Sequence, residues 1–393
     1  MDFQASPFNE VDAAVLSILG YIHMEGIVPG CESGAGVSLK EASAWYFSKF
    51  STAGEKPEPG TNAGPRVSPT ILPSFNAGLD DLLEKLSGCP RFERVRLSRL
   101  DQDTDFSVGR QFAALTFTLP DARPEHVVVF RGTDSTLVGW KEDFELVYME
   151  QIPAQDSALR YLEQTLDTLP GRFIVCGHSK GGNLAVYAGL QIGPAAQDRI
   201  SKIYNFDGPG FDFSVVDRVP FNHYGFKVLN IVPEESMVGM LLEPVGKRAV
   251  VASSARLASQ HSAFQWTVER TEFSRGNLAA AARLLDRILK TWLTKISLSE
   301  REAFLEALFD LLGASEGASI SLDPLHNMKE IRKVLQNYSR LDKETKSLLN
   351  QTFGSLSTHT TRTVSTTIRQ RLPGKQDLIK KLPGRRRSLP GRG

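Results

Sequence analysis

One stretch of the chain reads Arg172-Phe173-Ile174-Val175-Cys176-Gly177-His178-Ser179-Lys180-Gly181-Gly182-Asn183-Leu184-Ala185. In it, a run of β-branched and aromatic residues leads through a glycine-rich turn into an apolar helical segment. A Gly-x-Ser-x-Gly pattern arises by chance in about one chain in six of this size, so the pattern alone is weak evidence. Its context is more specific, because strand, tight turn and helix are what a nucleophile elbow requires. We therefore predict that Ser179 is the nucleophile of a serine hydrolase.

Strand and helix patterns alternate on both sides of this stretch. Apolar runs predict strands at residues 111–119, 126–130, 172–176, 200–206, 226–232 and 248–252. Helical spacing predicts helices at residues 8–24, 79–86, 143–149, 157–169 and 183–190. The alternation predicts an α/β fold with a mostly parallel sheet over residues 1–273, including an N-terminal helical segment. Residues 51–70, rich in Gly and Pro, predict a loop.

The C-terminal third of the chain has a different pattern. Amphipathic segments at residues 277–296, 298–313 and 326–340 predict a helical subdomain over residues 274–354, in which Ser297 and Glu300 have the spacing of a capping box. Residues 355–393 predict a disordered basic tail, since ten Lys and Arg face the single acid Asp377 over residues 362–393 and Leu-Pro-Gly recurs three times. This tail is either a solvated segment or a weak contact for an anionic membrane or a nucleic acid.

The overall composition argues against several classes of protein and of binding site. A net charge of +1 argues against binding to nucleic acid or membrane through the charge of the whole chain. The three cysteines, Cys31, Cys89 and Cys176, are too few and too widely spaced for a disulfide framework or a zinc site. Without a metal cluster, phosphate loop or dinucleotide fingerprint, we expect no cofactor. Without a leader-like N-terminus or a run of about 18 apolar residues, we expect a soluble, cytoplasmic protein.

The general base is predicted from chain order. A serine hydroxyl needs a base, which is usually a histidine oriented by a carboxylate. In α/β-hydrolases the order is serine, acid, histidine, with the histidine after the last strand, and this leaves His223 and His261. His223 precedes the strand at residues 226–232, whereas His261 follows the last one, so we predict His261. The side chain of His178, next to the serine, is expected to point away and to have a structural role.

The acid stays open among three residues. It is expected just after the strand at residues 226–232, where Glu234 and Glu235 lie. Asp207, at the end of the preceding strand, is the other candidate. Of the three we prefer Glu235.

The oxyanion hole is predicted from two turns. A tetrahedral intermediate needs two N–H donors, and one is expected to be the backbone amide of Lys180, the residue after the serine. The other is expected in the turn Arg131-Gly132-Thr133-Asp134 that follows the strand at residues 126–130, where Thr133 can add its hydroxyl.

Two motifs of the chain resemble those of the class 3, fungal-type lipases. These are Phe130-Arg131-Gly132-Thr133, followed by Trp140 and Asp143, and the Gly-His-Ser-x-Gly-Gly of residues 177–182. Over about residues 5–270 the chain more closely resembles a bacterial family of lipase-class-3-like proteins of unassigned function. The motifs that carry this closer resemblance are Asn-Glu-Val-Asp at 9–12, Gly-His-Ser-Lys-Gly-Gly-Asn-Leu-Ala at 177–185, Phe-Asp-Gly-Pro-Gly-Phe at 206–211, Ser-Met-Val-Gly-Met-Leu-Leu at 236–242 and the segment from His261 to Trp266.

The resemblance implies an α/β-hydrolase fold, a triad with Ser179 and His261, and an oxyanion hole at Thr133 and Lys180. It also reveals a departure. Class 3 lipases have Asp-x-Val-Pro after the penultimate strand, whereas this chain has Ser236-Met237-Val238-Gly239 there. Ser236 thus stands in the acid's usual place, and Glu235 or Asp207 must substitute for the acid.

Three functions fit these residues. The first is a lipase-like or esterase-like enzyme that cleaves a small-molecule acyl ester through an acyl-enzyme. The apolar residues 237–242 either line its acyl pocket or belong to the ordinary core. The second is an α/β-hydrolase scaffold without turnover that binds a partner or a membrane. The third is a thioesterase or peptidase, because the triad chemistry is shared.

Overall fold

The computed structural model describes residues 2–51, 78–105, 110–120, 125–133 and 137–312, together with residues 343, 346 and 347. Most of the loop predicted at residues 51–70 lies outside these ranges. So do the helix predicted at residues 326–340 and the basic tail at residues 355–393.

An eight-stranded sheet forms the centre of the described chain, and its strands follow one another in the sheet as they do in the sequence. They are β1 (Val37–Ser38), β2 (Arg96–Asp105), β3 (Arg110–Thr118), β4 (Glu125–Phe130), β5 (Arg172–His178), β6 (Ile200–Phe206), β7 (Val228–Pro233) and β8 (Lys247–Val251). Strands β1 to β4 pair antiparallel and strands β4 to β8 pair parallel. A short hairpin, β9 (Val268–Glu269) and β10 (Glu272–Phe273), lies outside this sheet.

Helices connect these strands and extend the chain beyond them. They are α1 (Glu10–Leu19), α2 (Leu39–Ser51), α3 (Leu79–Ser87), α4 (Leu137–Glu145), α5 (Pro153–Thr168), α6 (Lys180–Gln191), α7 (Pro194–Gln197), α8 (Val219–Tyr224), α9 (Ala280–Leu293) and α10 (Leu298–Leu312). None of the helices in the described ranges is long and apolar enough to span a bilayer.

The two faces of the sheet are covered by separate hydrophobic clusters, as the period of two in a strand requires. On β4, Val127 and Val129 pack into one cluster with residues of α1 and α3. Val128 and Phe130 point to the opposite face and pack with α5 and α6. Because both faces of the sheet are buried, the central strands have continuous apolar sequences, and these strands could therefore be predicted from the sequence. The parallel half of the sheet with helices on both faces is the α/β-hydrolase fold.

Several elements differ from the sequence-based prediction. Strand β2 was not predicted, because its sequence RLSRLDQDTD is mostly polar and its pairing with β3 shifts register between Ser98 and Asp101, where Arg99 has a φ of 57°. Helix α2 was not predicted either. Helix α4 lies at Leu137–Glu145 rather than at residues 143–149.

The helices after residue 274 pack against the hydrolase sheet and its helices. Ser297 and Glu300 form the predicted capping box, with Ser297 N donating to Glu300 Oε2 at 2.8 Å and Glu300 N to Ser297 Oγ at 3.3 Å. On α10, the buried Arg301 pairs with Asp212 and donates to Val147 O at 2.6 Å. The predicted helical C-terminal region is therefore present up to residue 312.

Parallel strands bring their carboxyl ends to one edge of the sheet. Residues that follow neighbouring strands are close in space even when they are far apart in sequence. Ser179 follows β5, Asp207 follows β6, Thr133 follows β4 and Ser236 follows β7. The fold thus gathers the predicted site residues at a single edge.

Candidate active site

The turn between β5 and α6 has the backbone of a nucleophile elbow. Ser179 has φ 58° and ψ −132°, a region that residues other than glycine rarely occupy. Its N–H donates to Phe206 O on β6 at 2.9 Å, and its C=O accepts from Gly182 N at 2.9 Å. The adjacent strand and helix therefore hold a strained backbone at a residue whose side chain is only half-buried.

Glycines flank the serine because three backbones meet there. A Cβ at Gly177 would lie 2.2 Å from Gly181 O, and a Cβ at Gly181 would lie 2.1 Å from Phe130 O. Both obstacles are backbone atoms, which cannot turn aside as a side chain can. The start of α6 can approach β5 and the end of β4 this closely only with glycine at these positions.

A histidine and a carboxylate are paired beside the elbow. His261 Nδ1 lies 2.6 Å from Asp207 Oδ2, and the two side chains are 7% and 0% exposed. Asp207, with a φ of 50°, follows β6 directly. Because Nδ1 donates to the carboxylate, Nε2 is the nitrogen that can take a proton from a serine hydroxyl.

Ser236, which stands where class 3 lipases carry their acid, contacts the carboxylate instead of replacing it. Its Oγ donates to Asp207 Oδ1 at 2.5 Å, and Gly239 N donates to the same oxygen at 3.2 Å. Asp207 thus accepts one hydrogen bond from His261 on Oδ2 and two from the segment after β7 on Oδ1. These bonds fix the orientation of its carboxylate in the buried site.

This geometry corrects the prediction that Glu235 is the acid of the triad. Glu235 N donates to Gln260 Oε1 at 2.9 Å, and Gln260 Nε2 donates to Glu235 Oε2 at 3.3 Å. Glu234 faces the start of the C-terminal helices, where its Oε1 accepts from Asn277 N at 3.4 Å. Both glutamates follow β7 as predicted, but the carboxylate that His261 Nδ1 contacts is Asp207, the alternative.

His178 holds the backbone of His261 in place. Its Nε2 lies 2.7 Å from His261 O and its Nδ1 lies 3.1 Å from the hydroxyl of Tyr21. A carbonyl only accepts, so Nε2 carries the hydrogen and Nδ1 accepts from Tyr21. Burial, together with the nearby charge of His261, lowers the pKa of His178 to about 3, so this ring stays neutral. His178, which was predicted to be structural, therefore supports the backbone of the site.

The turn after β4 packs directly on the elbow. A Cβ at Gly132 would lie 2.2 Å from the Tyr21 hydroxyl, 2.5 Å from His178 O and 3.1 Å from Ser179 Cβ. The backbone of Gly132, in the predicted oxyanion turn, thus lies against the elbow. Lys180, as the first residue of α6, has a backbone N–H that no carbonyl within the helix can accept. Of the two predicted oxyanion residues, Lys180 follows Ser179 directly, and Thr133 follows Gly132, whose backbone lies against the elbow.

Asp143 on α4 completes this side of the site. Thr133 Oγ1 donates to its Oδ2 at 2.6 Å, whereas its Oδ1 is buried without a hydrogen-bond partner and lies 4.0 Å from Lys180 Nζ. Burial raises the pKa of Asp143 to about 6, against the opposing effects of Lys180 and of the bond from Thr133. Glu142 raises this pKa further, and His261 lowers it.

This raised pKa predicts a pH-dependent stability. A carboxyl whose folded pKa exceeds its usual 3.8 stabilises the fold while it is protonated, and this contribution is lost as the pH rises from about 4 through about 6. We therefore expect Asp143→Asn, which stays neutral, to gain about 2 to 3 kcal/mol in unfolding free energy relative to the wild type between about pH 4 and pH 7. Urea unfolding at the two pH values measures this gain. The exposed Asp167→Asn on α5 is the control, and an equal gain in both variants would refute the assignment.

Some residues of the site carried no usable signal in the sequence. Tyr21 is 157 residues from His178, and only the packing of α1 against the sheet brings them together. Asp143 was visible only through the resemblance to class 3 lipases, and Glu142 was not singled out at all. Among the described residues, no group of three or more His, Cys, Asp or Glu side chains is arranged to hold a metal ion.

Comparison with known proteins gives one family match. The chain matches the family described as Mbeg1-like over residues 86–310. No protein of curated function matches it. Among solved structures, the M37 lipase is 17% identical with a TM-score of 0.32, over 42% of this chain and 63% of that one. A fungal lipase solved in complex with an inhibitor is 17% identical with a TM-score of 0.28, over 39% and 66%. The chain spans less than two thirds of the length of either lipase.

Proposed function

The chain belongs to the Mbeg1-like family, and on the geometry of its site we propose that it is a serine hydrolase that cleaves an acyl ester through an acyl-enzyme on Ser179. The observation that carries the proposal is the buried contact of 2.6 Å between His261 Nδ1 and Asp207 Oδ2, next to a serine held in an elbow. Such a contact selects the histidine tautomer that can act as a base.

The first half of the reaction uses these three side chains in sequence. Ser179 Oγ attacks the ester carbonyl carbon while its proton passes to His261 Nε2. Asp207 stabilises the resulting imidazolium, and the hydrogen bonds from Ser236 and Gly239 keep its carboxylate in place. The tetrahedral intermediate then loses the alcohol, which takes the proton from His261. The acyl group remains bonded to Ser179.

The second half repeats the chemistry with water. His261 takes a proton from a water molecule, whose oxygen attacks the acyl carbon. The second tetrahedral intermediate collapses to a carboxylic acid, and the proton on His261 returns to Ser179 Oγ. In both halves the negative oxygen is assigned to the N–H groups of Thr133 and Lys180, because their turns meet at Ser179.

Exposed apolar side chains on the segments that carry site residues support an apolar acyl group. Met237 follows Ser236 and is 48% exposed, Phe264 lies three residues after His261 and is 39% exposed, and Phe144 follows Asp143 and is 37% exposed. Each of these side chains belongs to a different segment that also carries a site residue. An acyl chain that covers them removes apolar surface from water, which contributes roughly 25 cal/mol per Å².

Activity-based labelling tests the proposal. A fluorophosphonate reacts with an activated serine, so we expect the wild-type protein to be labelled and the mass shift to map to the peptide that contains Ser179. Ser179→Ala should abolish the labelling, whereas Ser299→Ala, at an exposed serine of α10, should leave it unchanged. A panel of p-nitrophenyl esters with short and long acyl chains then measures turnover and chain preference.

The labelling and turnover experiments also distinguish an active hydrolase from a scaffold of the same fold without turnover. A folded wild-type protein that resists the probe and turns over none of the esters would overturn the proposed function and favour a binding role for the same fold. Labelling without ester turnover, combined with hydrolysis of a thioester, would retain Ser179 as the nucleophile and replace the substrate class.

A further inference from the structure

Lys180 places a cation at an unfavourable position. It is the first residue of α6, and the N-terminus of a helix carries a partial positive charge that disfavours a cation. Its side chain is also completely buried, where an unpaired ammonium group would be very costly. An apolar residue would avoid both costs, so the contacts of this side chain need an explanation beyond packing.

The ammonium group is paired and hydrogen-bonded inside the protein. Lys180 Nζ donates to Glu142 Oε2 at 2.7 Å and to Gln111 O at 3.0 Å. Glu142, likewise fully buried, accepts from Gln111 N at 3.1 Å and from Ala154 N at 2.8 Å. The pair therefore joins four elements at one point, namely the start of α6, helix α4, strand β3 and the start of α5.

A buried ion pair of this kind is weak evidence for stability. Replacement of such a pair by apolar residues of similar volume is often neutral or stabilising, because the cost of desolvation offsets the attraction. What the pair provides is a fixed distance and direction between the groups that carry the charges. Here those groups are the residue after the nucleophile and the helix that follows the oxyanion turn.

The same ammonium group reaches the support of the oxyanion turn. Asp143, next to Glu142 on α4, has its unbonded Oδ1 4.0 Å from Lys180 Nζ, while its Oδ2 accepts from Thr133 Oγ1 at 2.6 Å. A continuous series of contacts thus runs from Lys180 through α4 to Thr133. The neighbour of Thr133, Gly132, lies so close to the elbow that a Cβ there would be 3.1 Å from Ser179 Cβ.

We propose that Lys180 is a positioning residue, whose buried pair with Glu142 holds α4 and Asp143 against the nucleophile elbow and so orients Thr133 for the oxyanion. The effect of this pair on turnover rests on the proposed function. Its effect on the position of α4 does not depend on catalysis. Lys180 has two separate tasks: its backbone N–H belongs to the oxyanion hole, and its side chain aligns the other half of that hole.

The test replaces both charges together, because removal of one partner would leave the other unpaired and could prevent folding. In Lys180→Met with Glu142→Gln, we expect kcat for a p-nitrophenyl ester to fall about 10- to 100-fold with KM changed less than about threefold, as small misplacements of reacting groups cost rates of this order. The matched control is Lys85→Met with Asp81→Asn, which removes an exposed ion pair of α3 and should change neither constant.

A double-mutant cycle distinguishes positioning from general destabilisation. If Lys180 acts through Asp143, adding Asp143→Asn to the double variant should lower kcat no further than the more damaging of the two changes. Additive losses would contradict the proposal, because they would mean that the two sites affect turnover independently.

Hydrogen exchange gives a readout that needs no activity. We expect the amides of residues 137–145 to exchange faster in the double variant, while those of residues 157–168, in the part of α5 beyond the turn that Glu142 contacts, stay unchanged. The amides of the control variant should also stay unchanged. Unchanged exchange in α4 overturns the positioning role even if the enzyme is active. Faster exchange of α4 in the double variant, combined with a wild-type protein that fluorophosphonate does not label, supports the positioning role and rejects the proposed function.

Discussion

Asp207→Asn is expected to lower kcat/KM for an acyl ester by about 10³- to 10⁴-fold, since the loss of a triad carboxylate leaves the histidine in the wrong tautomer. The Asp207 Oδ1 position already receives hydrogen bonds from Ser236 Oγ and Gly239 N, so the amide oxygen of the variant is expected to stay there. The amide nitrogen then faces His261 Nδ1 and donates to it. This bond moves the ring hydrogen to Nε2, which can no longer accept a proton from Ser179.

The neighbouring glutamates are the controls for this prediction. Glu235→Gln and Glu234→Gln are expected to retain kcat/KM within about threefold, since Asp207 is the carboxylate in contact with the histidine's Nδ1. Steady-state kinetics with a p-nitrophenyl ester, together with the rate of fluorophosphonate labelling, measures all three variants. A large loss in Glu235→Gln with near-normal activity in Asp207→Asn would return the acid's role to Glu235.

Gly177→Ala is expected to destabilise the fold by roughly 3 to 5 kcal/mol, or to prevent folding, through steric overlap in the core. The new methyl group would lie 2.2 Å from Gly181 O and 2.7 Å from Phe130 O, and both are backbone atoms of elements that pack on the central strand β5. Relief of the overlap requires α6 to move away from the sheet, which would separate the helix from the serine that precedes it.

Gly34→Ala is the matched control for the glycine variant. A Cβ at Gly34 has no neighbour within 4 Å, so this substitution is expected to change the unfolding free energy by less than about 0.5 kcal/mol. Urea unfolding followed by circular dichroism compares the two variants with the wild type. Equal stability of Gly177→Ala and the wild type would mean that the elbow can accommodate a side chain and that the close approach of α6 to β5 is not required.

The parts of the fold that the sequence predicts are those in which a local pattern matches a buried environment. Strand β6 was predicted with its bounds at residues 200–206, and β4 and β5 were each found within two residues, because strands buried on both faces are continuously apolar. The antiparallel strand β2 escaped prediction for the opposite reason. It carries many polar residues, and the bulge at Arg99 breaks the alternation of its faces.

The choice of acid illustrates what the sequence does not determine. Chain order allowed three carboxylates near the ends of two adjacent strands, and nothing in their local sequence distinguishes a carboxylate that faces a histidine from one that faces a loop. The outcome depends on the path of the chain after β7. There Gln260 engages Glu235 from one side, while Ser236 and Gly239 donate to Asp207 from the other.

The sequence by itself predicted the elbow around Ser179, the central strands on either side of it along the chain, and His261 as the residue expected after the last strand, because these follow from local patterns and from order along the chain. Only the tertiary structure decided that Asp207 pairs with His261, that His178 and Tyr21 brace it, and that the Lys180 side chain is buried against Glu142. These contacts join residues up to 157 positions apart. Parallel strands bring Ser179 and Asp207 to one edge of the sheet, and the packing of α1 and α4 against the sheet adds Tyr21 and Glu142.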